Sequence, residues 1–221
     1  NKRSFEMAFA VMHTTGQGFM MAFQAGGPHA QDRGLEAIAY AYKAMKDCPA
    51  STTWCKQVGR DDFVTLEKEF KIIPRGIGLV IGCSTFPTWN TYPGLFASLV
   101  TGNAVIVKPH PGAILPLAIT VDICQTVIAE AGFDTNLVTL AADTIEQPIT
   151  AELVENDAIN IIDYTGGSVF GNWVEANAGN AMVPRTTTTD RPISNPVESV
   201  PPFPGAAMPP TATRNPAIPP R

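Results

Sequence analysis

The 221-residue sequence is poor in charge, cysteine and histidine, and each shortage argues against a class of function. Only 16% of the residues are charged and the net charge is −5, so a basic face for nucleic acid or an anionic membrane is not expected. The four cysteines form no CxxC pair and the three histidines are scattered, which argues against a metal site. No apolar run approaches the length of a membrane span, about 20 residues. We therefore expect no nucleic-acid, membrane or metal partner.

The cysteines and the first residues bear on where the protein works. Scattered cysteines in a chain of this size are typical of free thiols in a reducing cytoplasm. The sequence opens at Asn1 without Met and without a signal-peptide pattern, and it reads as helix almost at once. These features predict a cytoplasmic protein and a chain that begins inside a longer one.

Composition divides the chain into three regions. Residues 1–62 carry Phe and Met at helical spacing and predict an N-terminal helical part, in which Gly26-Gly27-Pro28 ends one helix and the next covers Asp32–Lys46. Residues 63–180 predict a β arm followed by a partial nucleotide-binding domain. Residues 181–221 contain eleven of the twenty prolines and a run of four threonines, and predict a disordered tail.

Short apolar runs alternate with helical stretches in the central region. Phe63–Ile73 indicates a half-exposed arm. After it, four runs indicate buried strands: Ile77–Gly82, Ala104–Val107, Leu137–Ala141 and Ala158–Ile162. The helices predicted between and after them are Tyr92–Leu99, Pro116–Ala131, Ile145–Glu155 and Val169–Ala176. This alternation predicts an α/β fold with a doubly wound, Rossmann-like parallel sheet. Ligands of such sheets bind at the carboxyl ends of the strands.

Polar segments follow three of the predicted strands at that edge. The glycine loop Thr165–Ser168 precedes a predicted helix, so its backbone N–H groups could hold a pyrophosphate; an ordinary strand-to-helix turn is the alternative. Asn90 offers an amide that could hold an oxyanion, or it could cap a helix. Lys108 could reach a ribose hydroxyl or a phosphate, or remain solvated.

Five motifs occur here in an order that resembles the cofactor-binding domain of the aldehyde dehydrogenase superfamily. They are PRGIGLVIG, WNTYP, TGNAVIVKP, EAG and YTGGSVFG, which span about Pro74 to Gly171. Longer stretches, among them MHTTGQGFMMAFQAGGPHAQDRGLEAIAYAY and DYTGGSVFGNWVEANA, are similar to the branch called phenylacetic acid degradation protein PaaN. The resemblance implies oxidation of an aldehyde, a ring-opened CoA-thioester semialdehyde, to the acid with NADP or NAD. It also implies a homo-oligomeric parent that pairs through the β arm.

The resemblance also implies roles for individual residues. Asn90 would be the catalytic amide that holds the oxyanion, and Lys108 would touch the adenosine ribose. The other implied cofactor contacts are Pro87, Thr88, Trp89, His110, Gly166, Gly167, Ser168 and Phe170, with Gly167 where the family has Ser. Tyr164 takes the place of the usual Phe.

The sequence departs from the family pattern in two ways. The Glu that the family carries three residues after this Lys is Pro111 here, and no carboxylate lies between Val105 and Gly112. We therefore expect NADP to be used at least as well as NAD.

The second departure concerns the nucleophile. All four cysteines precede the TGGS loop, and none matches the cysteine that the family's thiolate chemistry needs downstream of it. The chain alone is expected to bind cofactor without turnover, and the abrupt change near Gly179 is typical of a truncated or frame-shifted sequence. The alternatives are a non-catalytic nucleotide-binding module with a Pro-rich interaction tail, and a product without function.

Overall fold

The computed structural model describes residues 2–179 and 181–183. Within them the α-helices are α1 (Ser4–Thr15), α2 (Phe19–Gly26), α3 (Pro28–Lys46), α4 (Pro87–Val100), α5 (Ile114–Glu130), α6 (Thr150–Val154) and α7 (Ser168–Asn177). The strands are β1 (Ser51–Gln57), β2 (Phe63–Glu69), β3 (Ile77–Ile81), β4 (Ala104–Lys108), β5 (Val138–Leu140) and β6 (Ile159–Tyr164).

The core of the protein is a parallel sheet covered by helices on both faces. The four strands lie in the order β5-β4-β3-β6, and each neighbouring pair is parallel. Side chains of β3 alternate between the faces: Leu79 and Ile81 pack with α6 and α7, whereas Val80 packs with α4 and α5. Apolar contacts on both faces explain why these strands read as continuous hydrophobic runs. The predicted doubly wound α/β sheet is therefore confirmed.

The strand order creates a point at which the chain changes direction. From β3 the chain moves outward through β4 to β5, and it then returns to place β6 on the other side of β3. The connections that follow β3 and β6 therefore lead to opposite faces of the sheet. In open α/β sheets a crevice for ligands lies at such a point, outside the carboxyl ends of the two strands.

The N-terminal helices pack against the helices of one face of the sheet. Met7 and Val11 of α1 and Ala22 of α2 form a buried cluster with Ile119 of α5. The predicted helix end at Gly26-Gly27-Pro28 is confirmed. The next helix begins at Pro28 rather than at the predicted Asp32, because a proline at the first helical position costs no hydrogen bond.

Strands β1 and β2 form an antiparallel hairpin outside the main sheet, and every residue of both is exposed. The prediction of an arm near Phe63–Ile73 is confirmed for its second strand. The first strand falls inside residues 1–62, for which the sequence predicts a helical part. The run Ser51–Cys55 contains threonine and tryptophan, which favour strands, and pairing with β2 makes this segment extended.

The helix predicted over Ile145–Glu155 is shorter than expected, since only Thr150–Val154 is helical. Pro148 explains the late start. A proline disfavours helical backbone in the residue before it and lacks the N–H that a helix interior requires.

Two further expectations need correction, the absence of a long apolar run and the start of the disordered tail. By length and composition the segment Pro111–Glu130 is long and apolar enough to cross a membrane, with a mean hydropathy of 1.8. Leu117 and Val121 of this segment pack on the sheet, and Ile119 packs on α1. Residues 181–183 were predicted to begin a disordered tail, but Met182 forms a parallel bridge with Ile161 of β6. The rest of the predicted tail lies outside the described residues.

Candidate functional site

The turn between β3 and α4 positions Asn90 at the carboxyl edge of the sheet. Helix α4 begins at Pro87, and the backbone N–H of Asn90 donates to the carbonyl of Phe86 at 3.1 Å. The Asn90 side chain is half-buried, and its Nδ2 donates to Sγ of Cys83 at 3.1 Å. The amide therefore lies in the first turn of α4, close to the end of β3.

The other residues predicted in this turn have different surroundings. Pro87 and Thr88 are buried, and Oγ1 of Thr88 donates to the carbonyl of Gly26 at 3.0 Å, which ties α4 to the end of α2. Trp89 is half-buried, and its ring centroid lies 5.8 Å from that of His29 on α3. Of these three side chains, the indole of Trp89 is the one that reaches the surface beside Asn90.

The glycine loop leads into the start of α7. Gly167 is the N-cap of that helix, no side chain caps its first N–H groups, and no acidic residue occupies its first turn. A Cβ atom added at Gly167 would have no neighbour within 4 Å, whereas one at Gly166 would overlap the hydroxyl of Tyr164. Uncapped N–H groups behind an open glycine are what a pyrophosphate needs, so these residues fit a dinucleotide.

The residues around this loop divide into exposed and packed groups. Ser168 is exposed at the start of α7. Phe170 was predicted as a cofactor contact. Its ring centroid lies 5.0 Å from that of Tyr164 and 5.5 Å from that of Trp173. Burial raises the pKa of Tyr164, and its hydroxyl donates to the carbonyl of Gly167 at 3.4 Å. Phe170 thus supports the loop from the core side.

Lys108 is not a free cation. Its Nζ donates to Oδ1 of Asp143 and to the carbonyl of Pro109, both at 2.7 Å, and the Lys108 and Asp143 side chains are 2% and 1% exposed. Oδ2 of Asp143 accepts from the backbone N–H of Ile149 at 3.0 Å. Asp143 follows β5, the strand beside β4, and it supplies the carboxylate that the sequence around Lys108 lacks. The charge of Lys108 is therefore compensated by a carboxylate outside the segment Val105–Gly112.

His110, the other cationic candidate, is exposed after β4. Its Nδ1 accepts from the backbone N–H of Gly112 at 3.0 Å. This contact stabilises the short turn at Pro111–Ala113.

Strand register shows which of these groups share an edge. Ile81 of β3 lies between Lys108 of β4 and Tyr164 of β6, so the three strands end at the same level. The turn that carries Asn90 and the loop that carries Gly167 follow β3 and β6, the two neighbouring strands at which the sheet reverses direction. Lys108 shares this edge through its backbone, but its ammonium group is directed to Asp143.

Sequence analysis missed a half-buried carboxyl in β6. Asp163 pairs in register with Val80 and faces α4, where a Cβ atom added at Gly94 would lie 2.5 Å from the carboxyl carbon. Burial raises the pKa of Asp163 to about 6. The signal available was an acidic residue inside the apolar strand INIIDY. Nowhere in residues 2–179 or 181–183 do three His, Cys, Asp or Glu side chains gather as a metal site would require.

The parallel sheet, which reverses direction beside β3, and the uncapped helix start behind a glycine loop place this chain in the class of doubly wound α/β domains. The family model for the aldehyde dehydrogenase family matches residues 7–189, and the chain belongs to that family.

Solved and curated relatives agree with this membership. An NAD-dependent aldehyde dehydrogenase from Burkholderia multivorans is 57% identical with a TM-score of 0.75, and the match covers 81% of this chain and 32% of that one. The NADP complex of a glyceraldehyde-3-phosphate dehydrogenase from Methanocaldococcus jannaschii is 18% identical with a TM-score of 0.62, which shows the shared fold; the match covers 82% of this chain and 37% of that one. The fatty aldehyde dehydrogenase HFD1 of Saccharomyces cerevisiae is 28% identical over 112 residues, 51% of this chain and 20% of that protein. The chain thus spans about a third or less of these relatives' lengths.

Proposed function

We propose that this chain is the NAD(P)-binding part of an aldehyde dehydrogenase that oxidises an aldehyde to the acid. The observation that carries the proposal is the uncapped start of α7 at Gly167, which follows the strand next to the one that leads to Asn90. The first-turn N–H groups of α7 and the loop glycines would hold the pyrophosphate. A nicotinamide bound in this crevice would accept the hydride.

Asn90 would hold the oxyanion that forms when a nucleophile attacks the aldehyde. One N–H of its amide donates to Cys83, which leaves the second N–H for a ligand oxygen. A positioned amide donor of this kind lowers the barrier because it stabilises negative charge as that charge develops.

The substrate proposal is the finer one. Similarity of residues 12–178 to the PaaN branch supports a ring-opened CoA-thioester semialdehyde from phenylacetate breakdown, in the cytoplasm. We further propose that the parent enzyme is a homo-oligomer. The exposed hairpin supports this, since it carries Trp54, Phe63 and Leu66 at the surface without burying any of its residues.

Cofactor preference follows from the charge around β4. A 2′-phosphate is attracted by a free cation, but the ammonium of Lys108 is buried and paired with Asp143. Without that cation we propose that NAD binds at least as tightly as NADP, which reverses the order expected from the sequence.

Turnover needs a thiolate that this crevice does not receive from the cysteines present. Cys124 lies within α5, where burial raises its pKa to about 11, and Cys48 and Cys55 are exposed near or in the hairpin. Cys83 accepts the Asn90 amide. We therefore infer that the 221-residue chain binds cofactor and does not oxidise aldehydes by itself.

A calorimetric titration of the 221-residue chain with NAD and with NADP tests the proposal. The key variant is Gly167→Asp, which places a carboxylate at the start of α7 and should weaken binding of either nucleotide more than tenfold, or about 1.4 kcal/mol. The matched control is Gly18→Asp, because Gly18 is also a helix N-cap with φ near −60° and open space around it. Loss of binding in both variants, or in neither, would contradict the assignment of the α7 start.

A further inference from the structure

Cys83 lies in the turn that carries Asn90, and its sulfur has three polar neighbours. The Sγ atom lies 3.1 Å from Nδ2 of Asn90, 3.4 Å from the backbone N of Phe86 and 3.8 Å from Oγ1 of Thr85. Cys83 is half-buried directly after Gly82, which hydrogen-bonds to β4. The sulfur is therefore held at the end of the sheet by the backbone on both sides.

The donor and acceptor inventory of these groups sets the direction of two of the contacts. A backbone N–H can only donate, so the sulfur accepts from Phe86. An amide NH2 can likewise only donate, so the sulfur accepts from Nδ2 of Asn90. In the contact with Thr85, either the thiol or the hydroxyl can donate. In that arrangement Nδ2 faces Cys83, and Oδ1 points away from it.

Asn90 depends on this contact for its orientation. Within residues 2–179 and 181–183, the bond to Cys83 is the sole hydrogen bond of its carboxamide. An asparagine amide has two N–H groups, and the sulfur takes one of them. The other N–H is then fixed in direction without being consumed, which is the condition for a preorganised donor.

We propose that Cys83 is a positioning residue that sets the carboxamide orientation of Asn90 through an N–H···S hydrogen bond. Its catalytic meaning rests on the proposed function, in which Asn90 holds an oxyanion. The contact itself does not depend on that function. Cys83→Ala leaves the amide free to rotate, whereas Cys83→Ser keeps an acceptor at a shorter reach.

The test uses the 221-residue chain labelled with ¹⁵N-asparagine and follows the side-chain NH2 resonances by NMR. The variants are Cys83→Ala and Cys83→Ser, with Cys124→Ala as the matched control, because Cys124 is also partly buried but lies in α5 away from the turn. The amide of Asn177, which donates to the carbonyl of Trp173 at 2.7 Å, serves as an internal reference.

The expected result is specific to Asn90. In Cys83→Ala the two Asn90 Hδ2 shifts move toward each other and their exchange with solvent rises about fivefold, the effect of losing one modest hydrogen bond. Cys83→Ser restores part of the separation, and Cys124→Ala and the Asn177 reference stay unchanged. Unchanged Asn90 resonances in Cys83→Ala, or equal movement of the Asn177 reference, would overturn the proposal.

A cofactor titration of the same variants separates this inference from the proposed function. If the Asn90 signals respond to Cys83→Ala but the wild-type chain binds neither nucleotide, the positioning contact stands and the proposed function fails. If both nucleotides bind and the Asn90 signals do not respond, the function stands and the role of Cys83 fails.

Discussion

Replacing Asp163 by asparagine should remove a pH dependence of stability that this one carboxyl produces. Asp163 lies between β6 and α4 against Gly94, and its side chain has no hydrogen-bond partner within the described part of the chain. Burial disfavours the charged form and raises its pKa from 3.8 to about 6. Asparagine has nearly the same shape and does not ionise.

The direction of this pH dependence follows from whether the folded or the unfolded state binds the Asp163 proton more tightly. The folded state holds the Asp163 proton up to about pH 6, and the unfolded state loses it near pH 4. Asp163 therefore contributes stability that is complete below the unfolded pKa and is lost as pH rises through the folded pKa. A shift of about two units corresponds to about 3 kcal/mol in total, of which about 2 kcal/mol is lost between about pH 4.5 and about pH 7.5. Partial exposure of the side chain makes these values upper bounds.

Urea unfolding followed by circular dichroism at the two pH values measures the effect. The difference in free energy of unfolding between wild type and Asp163→Asn should shift by about 2 kcal/mol in favour of the variant as the pH rises. Asp157→Asn, an exposed change just before β6, is the matched control and should follow the wild type. Parallel pH profiles for wild type and Asp163→Asn would refute the reasoning.

Three further experiments test contacts around the same sheet. Gly94→Ala places a Cβ atom 2.5 Å from the carboxyl carbon of Asp163 and should cost about 1–3 kcal/mol in urea unfolding despite the better helix propensity of alanine; no loss would mean that the strand and helix separate freely. Asp143→Asn leaves the buried ammonium of Lys108 without its counter-ion and should cost about 3 kcal/mol, whereas Lys108→Met combined with Asp143→Leu should cost less; an equal loss would contradict the role of charge. Gly166→Ala clashes with the hydroxyl of Tyr164 and should weaken NAD binding while the melting temperature changes little. Titration and thermal unfolding of the same samples measure the two quantities.

The parallel sheet could be predicted because its signal is local. Runs such as Ile77–Ile81 are apolar on both faces, are bounded by Gly or Pro, and alternate with helical stretches, so the strands and the fold class followed from the sequence. Strand β1 could not be predicted in the same way. It is exposed throughout and lacks a hydrophobic pattern, and its partner β2 decides its conformation.

The site residues likewise divide into those with a local sequence signal and those whose contacts depend on the tertiary structure. The turn at Asn90 and the loop at Gly167 follow predicted strands, so their common edge was predictable from the sheet. The pairing of Lys108 with Asp143 joins residues 35 positions apart, which only the adjacency of β4 and β5 brings together. No feature of the sequence around Lys108 indicates this pairing. Local sequence therefore predicts which strand or turn carries a side chain, and tertiary contacts decide which groups that side chain contacts.

The hairpin has a consequence for how unfolding of this protein is observed. Its strands bury none of their residues, so opening it exposes little new apolar surface, and its amides should exchange by local opening well below the cost of unfolding the sheet. Trp54 sits on that hairpin beside Lys68, whereas Trp89 and Trp173 lie against the sheet domain. Fluorescence from Trp54 therefore reports on the hairpin alone, and a Trp54→Phe background leaves an optical signal that follows the first turn of α4 and the core.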